Sequence, residues 1–395
     1  MDTTTRPAAK ELSWPELQAL LFDSKSDERC MVRSELDRSL TCAPWSIDFW
    51  RASQLRQTIP LCASIGLRSS GTTGTAKVAW RSMLQVELEA NCIVQAFALE
   101  QVDEVVSFAP VNHAFGFLCG IALARNKRAR LTYCPQLQGG EILRVPSSGR
   151  RIIPSLPSTW QMLMRTGVLD DPSTTILHSA GPVPRVARDM PNFGRPSSYA
   201  LREIFGSTET GAIAYRQSAR DDASFWQLCS DTTLLGPDLE GRLRVLSPRC
   251  ATASPSGELG PNLDGITIED DVEIHPGRQI RLNGRRDDLV KVNGVNVRLG
   301  LLATELEMVF PDRPMTIVIE PDVVRGHTFY LITLARSVSP AMRAEHERTI
   351  GRTVTRLFGA HVYPARYVYA DTLPSTNTGK VRIRRLVSEN SVEAQ

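Results

Sequence analysis

Between residues 104 and 190 short apolar runs alternate with helical stretches, and this rhythm restricts the fold more than any other feature. "VVSFAP", "RARLTYC", "RRIIPSL" and "TTILHSAG" are short runs rich in Val, Ile and Leu. Between and after them stand "VNHAFGFLCGIALA", "PSTWQMLMRTGVL" and "PRVARDMP", with apolar residues at helical spacing. Strands alternating with helices predict an α/β sheet of parallel strands. The texture changes after Trp226, where "GRLRVLS", "GITIEDD" and "RQIRLNG" are short strands split by glycines, the mark of an antiparallel, barrel-like patch. Beyond Gly284 a compact α+β module is expected. It has a helix with Leu299, Leu302, Leu306 and Phe310 on one side, the strands "MTIVIEP" and "TFYLITLAR", a long helix from about Pro340 to Phe358, and a last strand, "ARYVYA".

The N-terminal side is harder to read. Ser13 to Glu16 has the spacing of a capping box opening a helix through Phe22. Residues 82–100 predict a helix with Leu88, Cys92, Val94, Phe97 and Leu99 on a broad face. "PLCASIGLRSS" and "AKVAWRS" predict two strands joined by a loop. The net charge of +3 is too small to argue for nucleic acid. The basic run Arg125, Lys127, Arg128, Arg130 follows an apolar stretch and is expected to be a solvated helix end. Eight cysteines (Cys30, Cys42, Cys62, Cys92, Cys119, Cys134, Cys229, Cys250) include no C-x-x-C pair. They are expected to be buried free thiols, which excludes a zinc or disulfide framework and favours a reducing, cytoplasmic setting. No apolar run is long enough to span a bilayer, and the start has no signal core.

The joining loop, "SSGTTGTAK", concentrates hydroxyls, glycines and one lysine. Glycines let the main chain approach closely, hydroxyls and N–H groups surround phosphate oxygens, and Lys77 supplies a point charge. The spacing is not that of a Walker loop, G-x-x-x-x-G-K-[ST]. Four later stretches complement it: "IFGSTETGAI" with Glu209, "IEDDVEIHPG", "GRRDDLVKVNGVNVR" and "LPSTNTGKVRIRRL". Each has an ordinary alternative, a turn, a solvated acidic pair or an exposed charge cluster worth little. Their joint occurrence in this order outweighs those alternatives.

In that order they resemble the adenylate-forming superfamily of acyl- and aryl-CoA synthetases, adenylation domains and luciferases. "SSGTTGTAK" is similar to its phosphate loop, "FGSTE" to Y-G-x-T-E, "GRRDDLVKVNG" to G-R-x-D-D-x-[IV]-K-x-x-G, and "LPSTNTGKVRIRRL" to L-P-x-T-x-x-G-K-[IV]-x-R-x-x-L. The resemblance runs from about residue 60 to about 388. It departs in Ala76 for the usual proline, Phe205 for tyrosine, and Glu269-Asp270-Asp271 in place of T-G-D. The stretch before the phosphate loop is short for the family, so a subdomain that helps wall the acyl pocket is expected to be abbreviated.

The resemblance implies a large α/β domain with a small β-barrel-like patch, residues 1–284. A hinge joins it to a small, mobile α+β domain, residues 287–395. It implies ATP-dependent activation of a carboxylic acid to acyl-AMP, then transfer to a thiol of coenzyme A or of the phosphopantetheine on a carrier protein. Lys380 would bridge carboxylate and α-phosphate. Glu209, with Thr208, would hold Mg2+. Ser69, Ser70, Gly71, Thr72, Thr73, Gly74 and Lys77 would hold phosphates. Phe205, Gly206 and Ser207 would line the nucleotide, and Arg285 would fix the ribose with Asp270 or Asp271, of which Asp271 is favoured because the aliphatic Val272 follows it. Asp287 would be the hinge, and Gly294 would leave room for the pantetheine arm. His113, Phe115, Gly116 and Phe117 would line the acid pocket, with Ser179, Ala180 and Gly181 on another wall; His113 reads equally as a packed loop residue. No aspartate occurs in "FAPVNHAFGF" to pair an α-ammonium, which favours a fatty or aryl acid. As no carrier domain follows, the acceptor is expected to be a separate molecule. An enzyme passing the acyl group to an amine or hydroxyl stays open, as does a non-catalytic nucleotide-binding relic.

Overall fold

The computed structural model describes residues 9–22, 29–33, 40, 43–49, 64–68, 78–134, 149–179, 183, 187, 199–217, 225–238, 242–252, 264–285, 289–293, 295–310, 313, 315–322, 326–334 and 339–370. The chain forms two units, residues 1–268 with 273–282, and residues 269–272 with 283–395.

The first unit is organised by one long sheet. Its strands, with those of its smaller sheets, are β1 (Lys10–Glu11), β2 (Arg29–Met31), β3 (Trp45–Asp48), β4 (Ser64–Arg68), β5 (Val78–Ser82), β6 (Glu104–Ser107), β7 (Arg130–Tyr133), β8 (Arg151–Ser155), β9 (Thr174–His178), β10 (Ala200–Ser207), β11 (Gly211–Gln217), β12 (Phe225–Leu228), β13 (Thr233–Leu235), β14 (Arg244–Leu246), β15 (Ile266–Thr267), β16 (Asp270–His275) and β17 (Gln279–Arg285). The long sheet has the order β1-β3-β7-β6-β8-β9-β10-β11-β12-β17-β16. The five strands β7-β6-β8-β9-β10 are mutually parallel, as the rhythm predicts, and antiparallel pairs extend them on both sides.

Their continuous apolar runs reflect burial on both faces. Val105, Ile152 and Leu177 belong to one apolar cluster, while their neighbours Val106, Ile153 and Ile176 belong to another. Of the glycine-split strands, "GRLRVLS" and the start of "GITIEDD" join β13 in a three-stranded antiparallel sheet, β13-β14-β15, whereas "RQIRLNG" is β17, which pairs antiparallel with β12 in the long sheet and so is not part of a separate patch. β4 and β5 form the hairpin expected around the hydroxyl-rich loop, in register from Ser64↔Ser82 to Arg68↔Val78.

Helix α1 (Trp14–Leu21) starts where the capping pattern places it, and the Ser13 N–H and hydroxyl both donate to Glu16, at 2.8 and 2.7 Å. Helix α2 (Met83–Phe97) carries the reciprocal box between Ser82 and Gln85. "FGFLCGIALA" departs from a regular helix: residues Phe117–Ala122 wind as a π-helix between short α-helical turns. Helical spacing cannot reveal this, because the run is apolar on every side. The basic run closes that helix, with Arg125 on Glu87, Lys127 on the Glu100 carbonyl and Arg130 on Ser46. Cys92, Cys119, Cys134, Cys229 and Cys250 are free and buried, but Cys30 is disulfide-bonded, which corrects the free-thiol expectation for that residue. β2 lies parallel beside β4 in a folded sheet, so the Cys30 main chain is fixed within it. Cys42 and Cys62 lie outside the described residues.

The second unit contains β18 (Leu289–Val292), β19 (Val295–Arg298), helix α3 (Leu299–Val309), β20 (Met315–Asp322), β21 (Gly326–Leu334), helix α4 (Pro340–Phe358) and β22 (Arg366–Ala370). β20 and β21 form an eight-pair antiparallel ladder, and β22 joins β21 in parallel. Leu299, Leu302 and Leu306 bury against Phe329, Leu331, Ile350 and Val354, the stripe the spacing predicts. No helix among the described residues is long and apolar enough to cross a membrane.

Candidate active site

The Glu209 turn is a tightly specified piece of main chain. β10 and β11 pair antiparallel with a register shift between Phe205 and Gly206, so the strand bends as it reaches the turn. A Cβ on Gly206 would stand 2.0 Å from the Gly211 carbonyl oxygen, and Gly211 has φ +71° with Glu89 Oε2 where its Cβ would be. Only glycine suits either position. Within the turn the Ser207 hydroxyl accepts from the Glu209 and Thr210 N–H groups at 3.2 and 3.1 Å, and the Thr210 hydroxyl accepts from the Ser207 N–H at 3.1 Å. Serine and threonine here serve the turn's own main chain. The Glu209 carboxylate and Thr208 hydroxyl have no hydrogen-bond partner among the described residues, and both residues are half-buried.

Outside the turn the main chain is held again. The Ala251 N–H donates to the Glu209 carbonyl at 2.7 Å, and Trp80 and Thr252 exchange N–H···O bonds of 2.9 and 2.8 Å. The segment 249–252 therefore lies between β5, which leaves the hydroxyl-rich loop, and the Glu209 turn. The buried Arg81 guanidinium donates to the carbonyls of Arg249, Thr208 (2.9 Å) and Glu209 (3.2 Å). Beside it Arg249 donates to Glu89 Oε2 at 2.7 Å, and to Asp231 at 2.7 and 2.8 Å, while Glu89 Oε1 accepts from the Ala212 N–H at 2.8 Å. Burial alone would lower the Arg249 pKa, but Glu89 and the Asp231 hydrogen bond raise it above the ordinary guanidinium value. Burial lowers that of Arg81.

None of Arg81, Glu89, Asp231 or Arg249 stands out in the motif reading. Glu89 has a local signal: it occupies the apolar face of α2 with Val86 and Ile93, where a carboxylate demands a partner. Arg81 has none, because its acceptors lie 127 to 168 residues away in sequence.

Phe205 packs edge-on to Trp226 with centroids 6.1 Å apart. Arg216 lies 4.3 Å over the opposite partner of that contact, the Trp226 ring, and is held by both oxygens of Glu203. His113 is half-buried at the N-terminal end of the Ala114–Gly116 turn, and its N–H donates to the Pro110 carbonyl. Gly116 packs so closely on Pro110 that a Cβ would come within 2.2 Å of its carbonyl oxygen. Phe115 packs on the core, and Phe117 is buried against Phe22. The Ser179 hydroxyl donates to the Ile204 carbonyl at 2.9 Å, which brings Ser179 next to β10. In the second unit Asp271 pairs with Arg298 at 3.4 Å. Ser69, Ser70, Gly71, Thr72, Thr73, Gly74, Lys77, Ala180, Gly181, Asp287, Gly294 and Lys380 lie outside the described residues, as does the side chain of Arg285.

The first unit thus combines a parallel α/β sheet, a hairpin joined by a hydroxyl-rich sequence, and a carboxylate without a hydrogen-bond partner among the described residues on a glycine-bounded turn. Residues 68–235 match the AMP-binding enzyme family model. The 4-coumarate–CoA ligases of Halorhodospira halophila and Cereibacter sphaeroides are 26% and 24% identical, over 74% and 79% of this chain and 73% and 69% of their own length. In fold the chain is similar to ATP-bound MatB from Rhodopseudomonas palustris (TM-score 0.64, 17% identity, 84% of this chain and 69% of that one). It is similar to the same degree to an anthranilate CoA ligase, AuaEII, in complex with anthranoyl-AMP (TM-score 0.63, 18% identity, 85% and 68%). Residues 68–235 thus resemble the AMP-binding enzymes, and over about three quarters of its length the chain is similar to AMP-forming acid–thiol ligases.

Proposed function

We propose that the protein activates a carboxylic acid lacking an α-amine, aryl or fatty, to its acyl-adenylate, and passes the acyl group to the thiol of coenzyme A or of a carrier-protein phosphopantetheine. The observation that carries the reading is the Glu209 turn, tied through residues 249–252 to the strand leaving the phosphate-loop motif. Those two motifs stand more than 130 residues apart in sequence. The names of the curated relatives and the lack of an aspartate in residues 108–117 support an acid without an α-amine.

In the first half-reaction a carboxylate oxygen attacks the α-phosphorus of ATP and the bond to pyrophosphate breaks. In the second the thiol sulfur attacks the acyl carbon and AMP leaves. Both partners of the first step are anions, so cations must stand between and around them. Lys380 takes the place between carboxylate and α-phosphate, and residues 69–77 hold the leaving phosphates.

Mg2+ fits the turn. Its half-buried Glu209 carboxylate, without a hydrogen-bond partner among the described residues, is a hard oxygen ligand, and phosphate oxygens and water would complete the shell. The ion would offset phosphate charge; Glu209 and Thr208 would hold it.

Phe205 provides an aromatic face for the nucleotide, and Asp271 and Arg285 the ribose contacts. His113, Phe115 and Gly116 form one wall of the acid pocket, backed by Phe117, and Ser179 with Ala180 and Gly181 the other. Residues 287–395 form the mobile domain, turning at Asp287 to bring Gly294 to the pantetheine arm.

Pyrophosphate exchange with a panel of aryl, fatty and amino acids tests the reading. An aryl or fatty acid should drive exchange, and coenzyme A or a loaded carrier should then yield a thioester. Exchange with no acid on the panel would overturn it. Lys380→Ala should retain ATP binding and lose exchange by orders of magnitude; exchange at the wild-type rate would remove Lys380 from the mechanism.

A further inference from the structure

Arg81 is a buried cation whose recorded acceptors are all main-chain carbonyls. It is the fourth residue of β5 and stands four positions after Lys77. Its side chain is 0% exposed, and it ends on Arg249 O, Thr208 O and Glu209 O, on two separate segments. An aliphatic residue would fill such a place in a strand without the cost of burying a charge. The planar fork of a guanidinium does what no aliphatic residue can, since it donates several bonds in fixed directions at once. Here those directions run from the strand that leaves the phosphate-loop motif to both residues offered as metal-binding groups.

We infer that Arg81 is a positioning residue for the metal-binding turn: it fixes the main chain at Thr208 and Glu209, and so the direction of the Glu209 carboxylate, relative to β5. The inference rests on the reading of that turn as the Mg2+ site. Arg81 touches neither acid nor nucleotide in this role. Its loss therefore acts on the metal dependence of the first half-reaction and leaves the KM of the acid nearly unchanged. The neighbouring pair Arg249–Asp231 supplies the control, since it is equally a part of the buried charge network but sends no bond to Thr208 or Glu209.

The test is the Mg2+ titration of pyrophosphate exchange, with thermal melts of each variant. Arg81→Met should raise the half-saturating Mg2+ by about tenfold, the low end for loss of a group that orients a ligand. Arg81→Lys, which keeps the charge but replaces the planar fork with a single ammonium, should fall between it and wild type. Gln85→Ala removes a 2.6 Å bond to the Cys250 carbonyl on the same segment, from a half-buried side chain. It provides a folded probe if the arginine variants do not fold, and should raise the half-saturating Mg2+ two- to threefold on the same argument. Asp231→Asn should lower the melting temperature and leave the Mg2+ curve in place.

If Glu209→Gln shifts the curve while the folded Arg81 variants, or Gln85→Ala in their stead, do not, the positioning role is overturned. The same follows if Asp231→Asn shifts it as far as Arg81→Met. If Glu209→Gln leaves the curve unmoved, the metal reading of the turn fails, and the inference with it.

Discussion

Both units bury apolar clusters, but they place their charged groups differently. In the first, Arg81, Glu89, Glu104, Arg151, Glu203 and Arg249 are all buried, and each is hydrogen-bonded. In the second, the buried polar side chains among the described residues are three threonines, Thr328, Thr333 and Thr353. Its ion pairs among the described residues have more exposed arginines: Arg348 with Glu345, Arg356 with Glu305 and Arg298 with Asp271, the three arginine side chains being 63%, 61% and 39% exposed. Around the Glu209 turn polarity is placed inside, where an unpaired group is expensive and a paired one fixes direction. The second unit relies on apolar area, which stabilises without fixing any one atom.

This contrast predicts a graded response. Glu89→Ala should have the largest effect, because it strands the buried Arg249 and the Ala212 N–H together. A loss of about 3–5 kcal/mol is expected from breaking one side of a buried pair, read by denaturant unfolding of the first unit. A loss below 1 kcal/mol would mean that water or Asp231 takes over, and the two units would then differ less than their burial suggests. Leu302→Ala in the second unit should cost about 3 kcal/mol, the middle of the range for a buried leucine. Hydrogen exchange should show that loss confined to amides of residues 289–370. Arg348→Ala should be the mildest, within about 0.5 kcal/mol, since an exposed pair at i,i+3 gains little. A larger loss on melting would show that the surface pairs of the second unit act as a network.

The same contrast decides what could be read from the sequence. The hairpin at 64–82, helix α2 and the elements of the second unit were legible because each follows a local period or a local cap. Leu299, Leu302 and Leu306 declare their helix within eight residues. The turn itself was legible as a motif, through Gly206, Ser207 and Glu209. What surrounds it was not, because Arg81 and Arg249 are single arginines in short strands and loops whose partners come from distant segments. The π-helical winding of Phe117–Ala122 is hidden for a different reason: an apolar run has no polar side by which its period can be measured. The two-residue strand β1 and three-residue strand β2 carry too few side chains for any alternation to register.

The Arg81 bonds also set an order of events during synthesis. The acceptors at Thr208 and Glu209 are made 127 and 128 residues after Arg81, but the one at Arg249 and the flanking Thr252 exchange with Trp80 do not exist until the chain has grown about 170 residues past it. At ~5–20 residues per second that interval is roughly 10–35 s. Until its end the nascent hairpin carries a guanidinium that lacks part of its native set of acceptors, which makes its early burial costly. The outer clasp of the Glu209 turn is thus completed late on the ribosome, and a chain released before residue 252 keeps the turn's own hydrogen bonds but lacks the full set that ties it to β5.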